Sequence, residues 1–150
     1  MDKLVKNLDE EKLKFTKIHF GDERVHLMNK GIFPYAYLDN ISRFEETQLP
    51  PKAFATRIGE GTIYMDYPNP ITSEEISEQD YQHAQNVFRE FRCKTLGDYM
   101  GLYCLSDTLL LADVFENFVE ISLKDYGLDP SHYVTMAYFA WDAMLKITQV

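Results

Sequence analysis

Two side chains in this sequence have the types and the spacing to do chemistry together: the phenol of Tyr103 and the carboxylate of Asp107, four residues apart. At about 100° per residue they fall on one face of a helix, one turn from each other. Leu96, Leu110, Val114, Phe118 and Ile121 share that narrow sector, whereas Ser106, Asp113, Glu116, Asn117, Glu120 and Lys124 gather on a polar arc. Asp107 therefore projects from the apolar side. Burying an unpaired carboxylate costs several kcal/mol or forces it to take up a proton, so an inward Asp calls for a metal ion or a hydrogen-bonded partner. The same spacing also allows Asp107 to lie on the stripe's edge or to cap a neighbouring helix. Asp113 and Glu116 read as a solvated face rather than as companions to Asp107, and the acidic pairs Glu45-Glu46 and Glu74-Glu75 read as solvent-facing.

The element that must position this pair runs from Thr95 to Gly127. Thr95 and Asp98 form a T-x-x-D start signal, and Gly127 supplies a left-handed residue to end the helix. Eleven of the seventeen residues from Leu102 to Phe118 are apolar and spread beyond one stripe, so this helix is expected to be covered on nearly all sides in a larger structure, and to expose apolar surface outside one. Ser77 and Asp80 repeat the start signal ahead of Tyr81, Ala84, Phe88 and Phe91, which predicts an amphipathic helix ending near Arg92. Asp129 and Pro130 fit the start of a short helical turn, and residues 137–148 read as a final helix with Phe139, Trp141, Leu145 and Ile147 available for packing.

The chain falls into four stretches. Residues 1–51 hold short helices, among Leu4, Val5, Leu8, Leu13, Phe15 and Ile18 and again from Glu23 to Lys30, where Gly31 is placed as the stop. An aromatic, proline-rich loop comes next and must be pinned against something. Residues 52–76 are an insertion or loop, with a brief alternating run at 62–67. Residues 77–126 are a two-helix segment, and 127–150 close the chain. The expected class is mainly α, with little or no sheet.

Composition narrows the function. The net charge is −9, from 24 acidic and 15 basic side chains, with no run of four or more Lys or Arg. Autonomous binding to a nucleic-acid backbone needs a concentrated basic patch, so it is disfavoured for this chain alone. Cys93 and Cys104 are too few for a zinc site or a disulfide framework and read as reduced core thiols of a soluble intracellular protein. No secretory signal and no apolar stretch of about 20 residues is present, which argues against a membrane partner. His19, His26, His83 and His132 are scattered, without partners at metal-ligand spacing, and no nucleophile elbow or phosphate-binding glycine loop occurs.

Tyr-x-x-x-Asp on a helix resembles the third exonuclease motif of family B DNA polymerases. The segments KGIFPYAYLDN, SRFEETQLPPKAF, ISEQDYQHAQNVFREF, CKTLGDYMGLYCLSDTLLLADVFENF, YGLDPSHY and AWDAMLKITQV extend the resemblance to the protein-primed members of viruses, virus-like transposons and linear plasmids. Residues 56–73 are longer than the family pattern. The resemblance implies a helical fragment of an RNase H-like 3′-5′ exonuclease domain, active with Mg²⁺ or Mn²⁺, and implies that residues 127–150 begin the link to the polymerase domain. Asp107 would then be a metal ligand and catalytic, with Tyr103 positioning the attacking water; DNA and a terminal protein primer would be partners of the complete polymerase. Two-metal hydrolysis needs several carboxylates. No expected strand carries the Asp-x-Glu of the first motif, and neither a counterpart of the second nor the Asp-Thr-Asp of a polymerase palm is found in the sequence. The chain reads as the middle of such a polymerase, binding no metal and inactive alone. The alternative is a non-catalytic helical module that binds a protein partner or itself.

Overall fold

The computed structural model describes residues 4–5, 7–27, 31–34, 37–51, 56–58, 73–75 and 77–149. Its helices are α1 (Lys14–Phe20), α2 (Glu78–Glu90), α3 (Leu96–Tyr126) and α4 (Met136–Thr148), with 3-10 turns at Glu10–Lys12, Asp22–Leu27, Ile41–Glu45 and Pro130–His132. The fold is mainly α. Sheet is confined, among the described residues, to one antiparallel pair, β1 (Thr56–Ile58) with β2 (Ser73–Glu75), in the register Thr56↔Glu75, Arg57↔Glu74, Ile58↔Ser73. The expected run at 62–67, the end of the expected helix Glu23–Lys30, and the side chains of Glu74 and Glu75 lie outside the described residues. Packing divides the chain into two units, His26–Asp107, and Met1–Val25 with Thr108–Val150, so α3 contributes to both.

In the first unit Ile32 and Phe33 pack with Ala84 and Val87 of α2 and with Leu96 and Tyr99 of α3. Tyr99 is the centre of this core. Its ring lies parallel to that of Phe33 at 6.1 Å, and its hydroxyl donates to the Ile32 carbonyl at 2.8 Å. Burial, with Cys93 nearby, pushes the Tyr99 phenol well above its ordinary range, so it remains a donor at any physiological pH. The aromatic loop is held by polar contacts as well: Tyr81 donates to the Pro50 carbonyl at 3.0 Å, and the Leu96 amide donates to the Glu46 carbonyl at 2.7 Å. Glu46 itself is half-buried rather than solvent-facing, because its carboxylate accepts from Tyr37 and from Arg43.

In the second unit Val5, Leu13 and Val25 close over Leu110 of α3. Phe15 and Ile18, expected to pack, are exposed, and Thr16 is the buried residue of α1. Farther along, Phe139 of α4 meets Phe118, Tyr126 and Tyr133 edge-on, with centroids 5.6, 6.0 and 5.4 Å away. Trp141 and Ile147 point outward instead, leaving Phe139 and Ala143 as the buried residues of α4. Gly127, at φ 62°, ends α3, and its carbonyl accepts from the Lys146 ammonium at 2.9 Å.

The buried positions of α3 are rotated from the expected stripe. Leu96, Tyr99, Ser106, Leu110, Asp113 and Ser122 are buried, while Asp107 and Val114 are half-buried. Asp113, placed on the polar arc by spacing, is 1 % exposed. The cause lies in α1. Helix starts leave amide N–H groups without partners, and the residue at the cap position here is Leu13, which has no side-chain oxygen to offer. Asp113 provides it from a distance of 98 residues along the chain: Oδ1 accepts from the Phe15 amide at 2.7 Å, and Oδ2 from the Thr16 amide at 3.1 Å and the Thr16 hydroxyl at 2.6 Å. The α1 dipole adds to the attraction.

Asp113→Asn should therefore destabilise the chain by about 2 kcal/mol or more, since an amide NH₂ would face an N–H donor and charge-assisted bonds would be lost. Glu116→Gln on the exposed side should change stability by less than about 0.5 kcal/mol. Urea melts of the two variants beside the parent check the contrast.

Candidate functional site

Helix α3 reaches Tyr103 and Asp107 from a fixed start. The Asp98 carboxylate accepts from the amides of Lys94 at 2.8 Å and Thr95 at 3.1 Å, and the Thr95 hydroxyl accepts in return from the Asp98 amide at 3.2 Å. This is the reciprocal box that T-x-x-D implies, with Asp in place of Glu. Asp98 is exposed, and the Lys94 and Thr95 amides hold its carboxyl below the ordinary 3.8.

Tyr103 is half-buried in the first unit. Its ring sits 5.3 Å from that of Phe33, tilted by 34°. Gly31 lies against it so closely that a Cβ at position 31 would stand 3.2 Å from Tyr103 Cδ2. The sequence pattern makes Gly31 a helix stop in a left-handed conformation. Instead its φ is not in that region, and its missing side chain makes room for the ring.

Asp107 is also half-buried, one turn beyond Tyr103, at the flank of the buried seam. The fully buried neighbour is Ser106, whose hydroxyl donates to the Tyr103 carbonyl at 3.0 Å. The structure thus brings the phenol and the carboxylate to one turn of one rigid helix, which suits a carboxylate that must bind a cation or a hydrogen-bond donor from a defined direction. Among the described residues no three His, Cys, Asp or Glu side chains form a metal-binding group. Glu116 is exposed and Asp113 is committed to α1. Of the two cysteines, both free, Cys93 is half-buried with its thiol raised by burial and by Asp98, and Cys104 is exposed rather than in the core. No helix among the described residues is long and apolar enough to cross a membrane.

Spacing along α3 missed Asp113, yet a signal existed: the segment before Lys14 offers Leu13 where a capping side chain belongs. A second signal is the end of α2. Arg92 occupies, at φ 52°, the left-handed position that glycine or asparagine usually takes. Compared with protein-family models, curated proteins and solved structures, the chain matches none.

The lowered pKa of Asp98 fixes the sign of its pH effect. The carboxylate's contribution is fully present above the ordinary value of 3.8 and is lost as pH falls through the lower folded value. Asp98→Ala should remove that acid-side dependence and lower stability at neutral pH, as thermal melts at pH 7 and pH 3 would reveal.

Proposed function

We propose that this chain is part of a protein-primed family B DNA polymerase and carries the third motif of its RNase H-like 3′-5′ exonuclease. Asp107 supplies one carboxylate of the metal site, and Tyr103 orients water at the scissile phosphate. What supports the reading is how the resembling segments meet. Gly31 and Phe33, from KGIFPYAYLDN, pack on Tyr103, and Glu46 and Pro50, from SRFEETQLPPKAF, accept from Leu96 and from Tyr81 of the two helical segments. Four stretches that resemble one family make a single core that holds the Tyr-x-x-x-Asp turn. The remaining carboxylates, which two-metal hydrolysis requires, come from other parts of the polymerase together with Mg²⁺ or Mn²⁺. DNA and a terminal protein primer are the partners of that assembly.

The purified chain should leave single-stranded DNA intact with either metal. A polypeptide that also carries the Asp-x-Glu motif from an in-frame upstream sequence should trim 3′ ends and lose that activity in Asp107→Ala. Absence of Asp-x-Glu upstream and of Asp-Thr-Asp downstream in the flanking reading frame would defeat the proposal.

The outer face of α4 favours a second reading, a protein-interaction module. Met136, Tyr138, Trp141, Met144 and Ile147 are all exposed there, and exposed apolar patches of this kind mark contact surfaces. Trp141 is the sole tryptophan, so its fluorescence reports on this face directly. On this reading raising the protein concentration should shift its emission to the blue and increase the sedimentation coefficient, and Trp141→Glu should abolish the self-association. Solvent-like emission at all concentrations would remove this alternative.

A further inference from the structure

A cavity of about 610 Å³, open to solvent, lies where the end of α2 meets the loop around Gln48. Arg89 and Arg92 line it together with Gln48, Gln85, and the rings of Tyr81 and Phe88; among the described residues no carboxylate does. In a chain of net charge −9 that is an unusual concentration of positive charge. Arg43, by contrast, is paired with Asp39 and Glu46. Neither Arg89 nor Arg92 has an ion-pair partner among the described residues. Glu46, next to the cavity-lining Thr47, is engaged by Arg43 and Tyr37, and Asp98 by two backbone amides. Glu90 lies between the two arginines in sequence but does not line the cavity.

The backbone at Arg92 carries the second observation. After the cap residue Phe91, the Arg92 amide donates to the Arg89 carbonyl at 3.0 Å and the Cys93 amide to the Phe88 carbonyl at 3.0 Å. This double closure demands a left-handed residue between them. Glycine takes that conformation freely, and a side chain is strained by it. The sequence nonetheless keeps an arginine there, at φ 52°, lining the cavity shared with Arg89. Strain retained at one residue, with its charge lining the same cavity as a second guanidinium, is what a binding site looks like.

We propose that this cavity binds a small phosphate monoester. Two guanidiniums without an ion-pair partner among the described residues match the charge of a phosphate monoester, about −1.5 to −2 at neutral pH, better than that of a single carboxylate. Guanidinium forks fit phosphate oxygens in pairs. The Gln48 and Gln85 amides and the Tyr81 and Phe88 rings offer hydrogen bonds and flat apolar surface to the organic group that carries the phosphate. Tyr81's hydroxyl is already committed to Pro50, which leaves its ring as the contact. The volume is within the range of small-molecule sites.

Titration of the full chain with phenyl phosphate, inorganic phosphate and benzoate, followed by amide chemical shifts or calorimetry, tests this. Phenyl phosphate should bind more tightly than inorganic phosphate, which lacks the ring, and than benzoate, which lacks the second charge. Arg89→Gln and Arg92→Gly should each weaken phenyl phosphate by about tenfold or more, the effect of losing charge-assisted hydrogen bonds. Arg92→Gly should at the same time melt no lower than the parent, because it relieves the left-handed strain. A merely structural arginine would give the opposite pattern, a loss of stability without a loss of affinity. No binding of phenyl phosphate at millimolar concentration, equal affinity in both variants, or benzoate binding as tightly as phenyl phosphate would each overturn the proposal.

Discussion

An amide at the start of a helix has no partner within that helix, and the tertiary structure of this chain depends on where such amides find one. Asp113 answers for α1, and the Glu46 carbonyl answers for the first residue of α3. In each case a hydrophobic residue occupies a place where local capping is insufficient, and a distant part of the chain must come in. These bonds are directional and buried or nearly so. They fix register in a way that the contacts of Leu110 or Leu96, which tolerate small displacements, do not.

This dependence explains which parts of the structure were legible in the sequence. Local signals read well: Ser77 with Asp80, Thr95 with Asp98, Asp129 before Pro130, and Gly127 all sit where their chemistry predicts, because both partners lie within a few residues of each other. The face of α3 read less well. A helical wheel counts a carboxylate as polar and turns it outward, and so it misplaces Asp113, because the donors that draw it inward belong to residues 15 and 16. The buried positions follow Leu96, Tyr99, Ser106, Leu110, Asp113 and Ser122, with small hydroxyls and a satisfied carboxylate buried while Asp107 and Val114, which spacing favoured, are only half-buried.

The Tyr103–Asp107 pair was legible as a pair, since a four-residue step on a helix leaves little freedom. Its setting was not. Nothing in the spacing distinguishes a glycine that ends a helix from one that admits a ring, and Gly31 does the second for Tyr103. The cavity beside Arg89 and Arg92 lay beyond the reach of charge counting as well, because an overall excess of acid conceals two arginines that have no ion-pair partner among the described residues.

The short pair β1–β2 has a consequence for how this chain can change length. Ile58 and Ser73 face each other as register partners, so the two ends of the intervening sequence are held together before that sequence begins. Closing a longer connection between ends already joined costs only about 0.6 kcal/mol per doubling of its length. Gains and losses of residues there are nearly neutral for the helices on either side. The stretch between them is then an inexpensive place for evolution to store new sequence, and an equally tolerant place to graft a foreign peptide.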